Sequence, residues 1–231
     1  MHIPDGYLGP VTCGVFYVVM LPIWSIASRI VKKTLKVKQV PMLAIGAAFS
    51  FVIMMFNVPI PGGTTGHAVG GVLVAILLGP WAACIAITVA LVIQALLFGD
   101  GGITAIGANC FNMAFILPFV GYYLYKLISL HTPVGSNRRV IAAGVAGYVA
   151  LNIAALFTGI EFGLQPLLHH TINGQSLYCP YGLNVAIPVM LGEHLLIFGW
   201  VEALVTALVI KYLQKHSPEL IKENEVADET H

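Results

Sequence analysis

The chain carries little charge for its length. Only 9% of its 231 residues are charged, whereas 58% are hydrophobic, and the mean hydropathy is +0.88. Soluble domains carry about 25% charged residues, so this composition excludes an ordinary water-soluble fold. The eleven basic residues are also too few and too unevenly placed to form a nucleic-acid-binding surface. The composition is typical of an integral membrane protein.

Several catalytic motifs are missing as well. The sequence contains no Gly-Lys pair, so it lacks the phosphate-binding loop of a nucleotide-driven motor. It has no Gly-x-Ser-x-Gly elbow, and Glu193-His194 does not follow the His-Glu-x-x-His spacing of zinc hydrolases. Its four cysteines form no CxxC pair, which predicts buried thiols rather than disulfides or a thiolate metal site. Any ATP-driven activity would therefore require a partner protein.

The hydrophobic runs predict an all-α integral membrane protein. A helix needs about 20 apolar residues to cross a bilayer, so we expect a bundle of about seven transmembrane helices. The predicted spans are residues 11–30, 41–56, 68–78, 81–98, 103–128, 140–157 and 183–210. If the N-terminus is outside and the C-terminus is cytoplasmic, all eleven Lys and Arg residues lie on the cytoplasmic side, as the positive-inside rule requires.

We interpret residues 1–215 as one transmembrane substrate-binding domain and residues 216–231 as an acidic, disordered cytoplasmic tail. The tail holds five of the ten acidic residues but only one base, Lys222. A longer outer loop, residues 158–182, carries Glu161, His169 and His170 and is a candidate lid.

The first two residues, Met1-His2, place a histidine directly behind an amino terminus. The Met1 amine, the His2 backbone nitrogen and a His2 ring nitrogen can close two fused chelate rings, which leave one corner of a square open. Nitrogen-rich planar sites favour Ni(II) or Cu(II), whereas zinc prefers a tetrahedron. The chelate requires a mature protein that begins at Met1, which we expect because no cleavable signal segment is visible. Proton release on binding should make the affinity fall in acid.

We predict that His67 supplies the fourth nitrogen. It follows the glycine-rich run Gly62-Gly63-Thr64-Thr65-Gly66 on the predicted outer face. Taken alone, His67 is better explained by a hydrogen bond to a helix end or by a place at the membrane interface, and only the His2 chelate on the same predicted face favours a ligand. Polar groups should orient the ligating rings, and each candidate could instead form an interhelical hydrogen bond. These candidates are Thr64, Thr65, Gln94, Asp100, Asn109 and Asn112.

Four motifs in this order resemble those of the NikM/CbiM family, and the resemblance covers residues 1–210. They are Met1-His2-Ile3-Pro4-Asp5-Gly6-Tyr7-Leu8, Gly62-Gly63-Thr64-Thr65-Gly66-His67, Leu97-Phe98-Gly99-Asp100-Gly101-Gly102 and Gly107-Ala108-Asn109-Cys110-Phe111-Asn112-Met113.

The resemblance implies the substrate-binding membrane component of an energy-coupling-factor transporter in the cytoplasmic membrane of a prokaryote. It implies that the Met1 amine, the His2 amide and ring, and His67 bind the transported metal, with no separate cofactor. The implied partners are a transmembrane coupling protein, a cytoplasmic ABC-type ATPase and a small auxiliary membrane protein. The planar nitrogen set favours nickel over cobalt.

Two alternatives remain open from the sequence. The first is a membrane-embedded metalloenzyme that uses His67, His169, His170, Glu193 and His194. Such an enzyme needs an open coordination position and a general base, which a filled planar site does not provide. The second is a metal sensor. Glu193, His194 and Glu202 are ionisable residues in the last predicted span, and we expect them to serve in packing or as a relay.

Overall fold

The computed structural model describes residues 1–60 and 64–221, and this part of the chain is mostly helical. A two-stranded hairpin interrupts the helices, with β1 at Val58–Ile60 and β2 at Thr64–Gly66. The helices are α1 Pro10–Thr34, α2 Val40–Met54, α3 Gly71–Leu78, α4 Pro80–Ile93, α5 Ile106–Asn109, α6 Leu117–Ser129, α7 Asn137–Leu168, α8 Leu183–Glu193 and α9 Gly199–His216.

Among residues 1–60 and 64–221, three wider π-helical turns lie within or between these helices. They span Gln94–Phe98 after α4, Cys110–Ile116 between α5 and α6, and His194–Phe198 between α8 and α9. Such turns occur often at functional sites, because each displaces side chains from the regular helical register. Here each begins at or directly after a polar residue inside an apolar helix: Gln94, Asn109 and His194.

The expected seven spans are met only in part. In the described part of the chain, five continuous helical stretches are long and apolar enough to cross a membrane: Pro10–Thr34, Pro80–Phe98, Ile106–Ser129, Asn137–Leu168 and Leu183–His216. Helix α2 has 15 residues and α3 has eight, which is shorter than a full span requires. The fold class is therefore a multi-pass helical membrane protein with five candidate spans and two shorter apolar helices.

Helix α3 is short because other helices surround it. Its residues from Gly71 to Ile76 are buried, so they face protein rather than lipid. A segment enclosed in this way has no need to match the thickness of the bilayer. Gly79, with a φ of 86°, and Pro80 then end α3 and start α4.

Helix α7 is longer than predicted. The sequence predicts a sixth span that ends at residue 157 and a loop over residues 158–182, but the helix continues to Leu168. Its extra turns are held by packing, since Gly159 and Gly163 allow the backbone of α8 to approach closely at Ile187 and Leu183. Glu161 does not end the helix, because its carboxylate accepts a hydrogen bond of 2.9 Å from Asn112.

Helix α7 lies against α6, α8 and α9. Small residues line its buried face, and a side chain at Gly147 would meet the Glu202 backbone of α9 at 3.3 Å. This close approach is how helices associate inside a membrane. Beyond α9, Ile221 is buried, and the remainder of the predicted tail, residues 222–231, lies outside the described residues.

The two ends of the bundle differ in charge. The N-terminal segment and the 99–102 turn meet at one end, where the Gly102 N–H donates to the Ile3 carbonyl at 2.8 Å. Basic residues occupy the opposite ends of the helices, in the last turns of α1, α6 and α9 and the first turn of α7: Lys32, Lys33, Lys126, Lys215, Arg138 and Arg139. This arrangement supports the predicted orientation, which remains a prediction.

Candidate metal centre

The N-terminal segment is buried inside the bundle. Met1, His2 and Ile3 are each no more than 4% exposed. The Ile3 backbone pairs with the Asn109 side chain, which accepts from the Ile3 N–H at 2.8 Å and donates to the Ile3 carbonyl at 3.1 Å. These two bonds fix the backbone next to His2, and they satisfy polar groups that would otherwise be costly to bury. Asn109 therefore acts on the site through the backbone.

Asp5 is a second anchor of the N-terminal segment, and it is not among the predicted site residues. Its carboxylate accepts hydrogen bonds from the backbone of Ile103 at 3.1 Å and of Thr104 at 2.9 Å. The pKa of Asp5 is lowered from its usual value. The largest cause is a hydrogen bond from the Thr104 hydroxyl, and the two backbone hydrogen bonds add to it. Asp5 thus joins the N-terminal segment to the residues after the 99–102 turn. Asp5 lies within the Met1–Leu8 motif, but the motif alone does not assign it a role.

The Met1 amine donates a hydrogen bond to the Thr65 carbonyl. That carbonyl belongs to β2, where Thr65 lies opposite Pro59 of β1. Because proline has no N–H, Pro59 cannot donate to Thr65 across the hairpin. Thr65 thus contacts the amine through its backbone carbonyl. Its buried hydroxyl has no hydrogen-bond partner among the described residues.

The hydrogen bond of His2 determines which of its nitrogens is available. His2 Nε2 lies 3.1 Å from Gln94 Oε1, and an amide oxygen only accepts, so Nε2 carries the proton. His2 Nδ1 is buried without a hydrogen-bond partner among the described residues. Nδ1 is also the nitrogen that can close a six-membered chelate ring with the His2 backbone nitrogen. The available nitrogen is the one that the predicted chelate requires.

His67 shows the same pattern with its nitrogens exchanged. Its Nδ1 lies 3.1 Å from the Ala68 carbonyl oxygen, which assigns the proton to Nδ1. Its Nε2 is buried without a hydrogen-bond partner in the described part of the chain. The ring centroids of His2 and His67 are 4.5 Å apart, and the planes are tilted by 33°. Two unprotonated nitrogens are thus presented by neighbouring rings.

Burial keeps these groups neutral. It lowers the pKa of the Met1 amine to about 5, against the opposing attraction of Glu193 and Asp100. It also lowers the pKa of His2 to about 3, with a further contribution from the amine charge. The pKa of His67 falls well below its usual value because of burial and the nearby amine and His2 charges. Near neutral pH the amine and both rings therefore have free lone pairs.

Asp100 lies beside the unpartnered nitrogen of His2. Its Oδ1 is 3.6 Å from His2 Nδ1, which is too long for a hydrogen bond. The Asn57 amide donates to both carboxylate oxygens at 3.3 and 3.4 Å, while burial raises the pKa of Asp100. A carboxylate in this position can balance a positive charge between the two rings.

The glycines of the 99–102 turn permit this approach. Gly101 has a φ of 85°, and a side chain there would lie 3.1 Å from Asn109 Nδ2 and 3.2 Å from the His2 ring. A side chain at Gly102 would overlap the backbone of Pro4 and Asp5. The turn therefore needs glycine both for conformation and for space.

The other predicted site residues are placed differently. Asn112 donates to Thr158 at 3.1 Å and to Glu161 at 2.9 Å, so its hydrogen bonds belong to a separate network and do not orient the ligating rings. Thr64 lies in β2, opposite Ile60. Gly62 and Gly63 lie outside the described residues.

The predicted lid histidines are outside the centre. His169 is half-buried, with its Nε2 3.4 Å from the Thr12 hydroxyl and its ring against Tyr178. The Cys179 N–H donates to the Tyr7 carbonyl at 3.1 Å, so this segment covers the N-terminal segment. In the described residues no three His, Cys, Asp or Glu side chains form a metal-binding group.

These features define a class: a multi-pass helical membrane protein that buries its own N-terminus beside a second histidine. Residues 2–220 match the family described as "Cobalt uptake substrate-specific transmembrane region", and the chain belongs to this family, CbiM. The match confirms the resemblance to the NikM/CbiM family.

Several relatives are named as transport proteins. The chain is 54% identical over 221 residues to the fused nickel transport protein NikMN of Rhodobacter capsulatus, which covers 96% of this chain and 64% of the relative. It is 34% identical over 205 residues to the cobalt transport protein CbiM of Streptococcus sanguinis, covering 85% and 80% of the two chains. The chain thus spans about two thirds of the length of the fused relative. These names agree with the expected transport component rather than an enzyme.

A solved structure has the same fold. It is the crystal structure of a truncated transition metal transporter, 59% identical in sequence, with a TM-score of 0.89. The similarity covers 94% of this chain and 99% of that chain.

Proposed function

We propose that this chain is the substrate-capture membrane component of an ATP-driven, energy-coupling-factor importer of Ni(II), with Co(II) as the alternative cargo. The proposed ligands are the Met1 amine, the His2 backbone nitrogen, His2 Nδ1 and His67 Nε2. The observation that carries the proposal is the pair of buried imidazole nitrogens without hydrogen-bond partners among the described residues, on rings 4.5 Å apart.

The donor set favours nickel. Three nitrogens on adjacent backbone and side-chain atoms form two fused rings in nearly one plane, and His67 completes the square. Ni(II) accepts a square-planar set of nitrogen ligands. Co(II) binds such ligands more weakly than Ni(II) in the usual order of affinities of divalent metals. The named relatives transport nickel in one case and cobalt in another, which is consistent with either cargo in the family.

Charge balance supports a divalent cargo. A deprotonated His2 amide contributes one negative charge, and neutral rings and a neutral amine contribute none, so the loaded site keeps one positive charge. Asp100, held 3.6 Å from His2 Nδ1 by Asn57, is placed to offset that charge. A buried charge without such a partner would be costly.

The neighbouring groups orient the ligands. Gln94 accepts from His2 Nε2, and the Ala68 carbonyl accepts from His67 Nδ1. Metal-ligating histidines usually donate their second N–H in this way, which fixes the tautomer and the orientation of the ring. We propose Gln94, Asp100 and Asn109 as supporting residues, with Thr65 acting through its carbonyl.

Transport requires proteins other than this chain. The sequence has no nucleotide-binding loop, so we propose that a cytoplasmic ABC-type ATPase supplies the energy through a transmembrane coupling protein, together with a small auxiliary membrane protein. The complex would lie in the cytoplasmic membrane of a prokaryote, with the metal centre on the outer face. The arrangement of basic helix ends supports that orientation.

The test is metal analysis of purified full-length protein that begins at Met1. The native chain should hold about one nickel and show the absorption bands of a planar complex. His2→Ala, His67→Ala and a form with one residue added before Met1 should each lose it. An extended form that retains its nickel would exclude the amine as a ligand and overturn the proposal.

A further inference from the structure

Glu202 of α9 is a buried acid whose contacts lead to the metal centre. Its side chain is 0% exposed within a membrane-spanning helix. Its Oε2 accepts from the Val69 N–H at 2.7 Å and from the Gly70 N–H at 2.9 Å, and Oε1 lies 3.1 Å from the Gly70 nitrogen. Burial of an acid at this depth is costly, so the contacts that it makes indicate its role.

The two donors belong to residues 67–70, which join β2 to α3. His67, Ala68 and Val69 are at most 3% exposed. Gly70 precedes α3 with a φ of 73° and provides no side-chain cap. N–H groups at the start of a helix have no intrahelical acceptor, so a buried start needs one from elsewhere. Glu202 supplies it from a distant part of the chain.

The residue that precedes His67 in the chain also packs near the start of α9. A side chain at Gly66 would overlap the ring of Phe198, so the backbone of β2 packs directly on the π-helical turn before α9. Phe198 therefore restricts the position of the backbone at Gly66, one residue before His67. Glu202 fixes the backbone at Val69 and Gly70, two and three residues after His67. Within the described residues, the hydrogen bond of the His67 side chain itself is local, from Nδ1 to the carbonyl of the adjacent residue Ala68.

We infer that Glu202 is a positioning residue for the metal centre, because its carboxylate fixes the backbone that aims His67 Nε2 at the Met1-His2 chelate. This inference rests on the proposed function, in which His67 supplies the fourth nitrogen. A ligand that is held before the metal arrives loses less freedom on binding, so the affinity is higher.

A purely structural cap gives a different expectation. If Glu202 only stabilised the start of α3, its replacement would weaken the fold to the same extent whether or not His67 were present. If Glu202 positions His67, its effect on nickel affinity disappears once His67 is removed. A double-mutant cycle separates the two roles.

The experiment titrates Ni(II) into full-length protein with its native Met1, in detergent, and follows the planar absorption band. The variants are Glu202→Gln, His67→Ala and the pair together. Gln keeps the size of Glu but turns an N–H donor toward the Val69 and Gly70 donors. We expect Glu202→Gln to weaken nickel binding about 10- to 100-fold, the range for groups that orient metal ligands. In the His67→Ala background it should change the residual affinity less than about twofold.

Thr206→Val is the matched control. Thr206 lies one turn further along α9, is also 0% exposed, and its hydroxyl has no hydrogen-bond partner in the described residues. This variant should bind nickel as the native protein does. If Glu202→Gln does not fold, Glu202→Asp keeps an acceptor but shortens its reach, and the same dependence on His67 should appear with a smaller shift.

The outcomes are distinguishable. Native nickel affinity in the Glu202 variants, or an equal loss with and without His67, overturns the positioning role. Native affinity in His67→Ala overturns the proposed function itself. Loss in both single variants, without further loss in the double variant, supports both.

Discussion

Two histidine-bearing regions meet at one end of the bundle, and they treat their imidazoles in opposite ways. In the metal centre, His2 and His67 are 4% and 0% exposed, and each has one hydrogen-bonded and one unpartnered nitrogen among the described residues. In the covering segment, His169 is half-buried and His170 is exposed. His169 Nε2 lies beside Thr12, and the ring packs on Tyr178.

The difference indicates which properties separate the two proposed ligands from the other histidines at this end of the bundle. A histidine in a loop near the site is not sufficient, since His169 also has that. Burial and a partner that fixes the tautomer are not sufficient either, since His194 is also buried, with Nδ1 2.8 Å from the Met190 carbonyl and Nε2 unpartnered among the described residues. What distinguishes His2 and His67 is that two such rings lie 4.5 Å apart. Glu193 and Asp100 act on the Met1 amine rather than on the rings. Their negative charges raise the pKa of the amine, against the larger lowering caused by burial.

The sharpest test of this comparison pairs His67→Ala with His169→Ala. His67→Ala should weaken nickel binding more than about 100-fold, beyond the range for groups that only orient metal ligands, because it removes the fourth nitrogen and leaves three. His169→Ala should leave the affinity within about threefold, because only packing against Thr12 and Tyr178 is lost. Isothermal titration with nickel measures both. Equal losses in the two variants would show that the covering segment belongs to the site.

A second test uses two asparagines close together in sequence. Asn109→Ala should weaken nickel binding about 10- to 100-fold, because the Ile3 backbone beside His2 loses both bonds. Asn112→Ala leaves the Glu161 carboxylate without its donor and should instead cost about 1–3 kcal/mol of stability. Nickel titration and thermal unfolding in detergent separate the effects. A larger affinity loss for Asn112→Ala would contradict the separation of the two networks.

The third test is the pH dependence of nickel affinity. The pKa of the Met1 amine is lowered to about 5, so this amine is already neutral at pH 7 and gives up no proton there. Only the His2 amide then releases a proton, and the affinity should fall about tenfold per pH unit between pH 7 and 5. Below pH 5 the fall should steepen as protons compete for the amine. Titrations in buffers of different ionisation enthalpy count the protons.

That count also compares burial with exposure. If the N-terminal segment were solvated, the amine would keep its ordinary pKa near 8 and would release a second proton at pH 7. A measured release near two protons per nickel would therefore contradict the buried, neutral amine.

The smallest expected effect compares two glycines with similar backbones. Gly101 and Gly6 have φ values of 85° and 84°, so alanine costs about 1–2 kcal/mol of stability at either position. Only at Gly101 does the added methyl group meet His2 and Asn109, since nothing lies within 4 Å at Gly6. Gly101→Ala should weaken nickel binding by up to about tenfold, and Gly6→Ala should not change it. Equal nickel affinities in the two variants would show that the 99–102 turn does not contribute to the metal centre.

Much of the fold follows from composition. Long apolar runs with few charges predict membrane helices, and five of them reach the required length. The two short helices are predicted at residues 41–56 and 68–78, but as membrane spans, and the extension of α7 is not predicted. Hydropathy does not distinguish a helix that faces lipid from one enclosed by other helices. Helix α3 is short because it is enclosed, and α7 continues past residue 157 because Gly163 packs on α8.

The metal centre divides in the same way. The chelating spacing of Met1 and His2 is local, and adjacent residues must share it whatever the fold. That Gln94 lies beside His2, and that Asn109 rather than Asn112 meets the N-terminal segment, depends on the π-helical turns at those residues. Periodicity in the sequence does not locate such turns.

The sequence by itself determined a membrane protein whose first two residues have a spacing suited to chelation and which has a histidine behind a glycine-rich run. Tertiary structure alone decided which nitrogens are free, because a tautomer depends on the acceptor that meets the ring. It also decided the roles of Asp5 and Glu202, whose partners lie 98 and 133 residues away in the chain. Contacts at that separation arise from packing, and no local pattern encodes them.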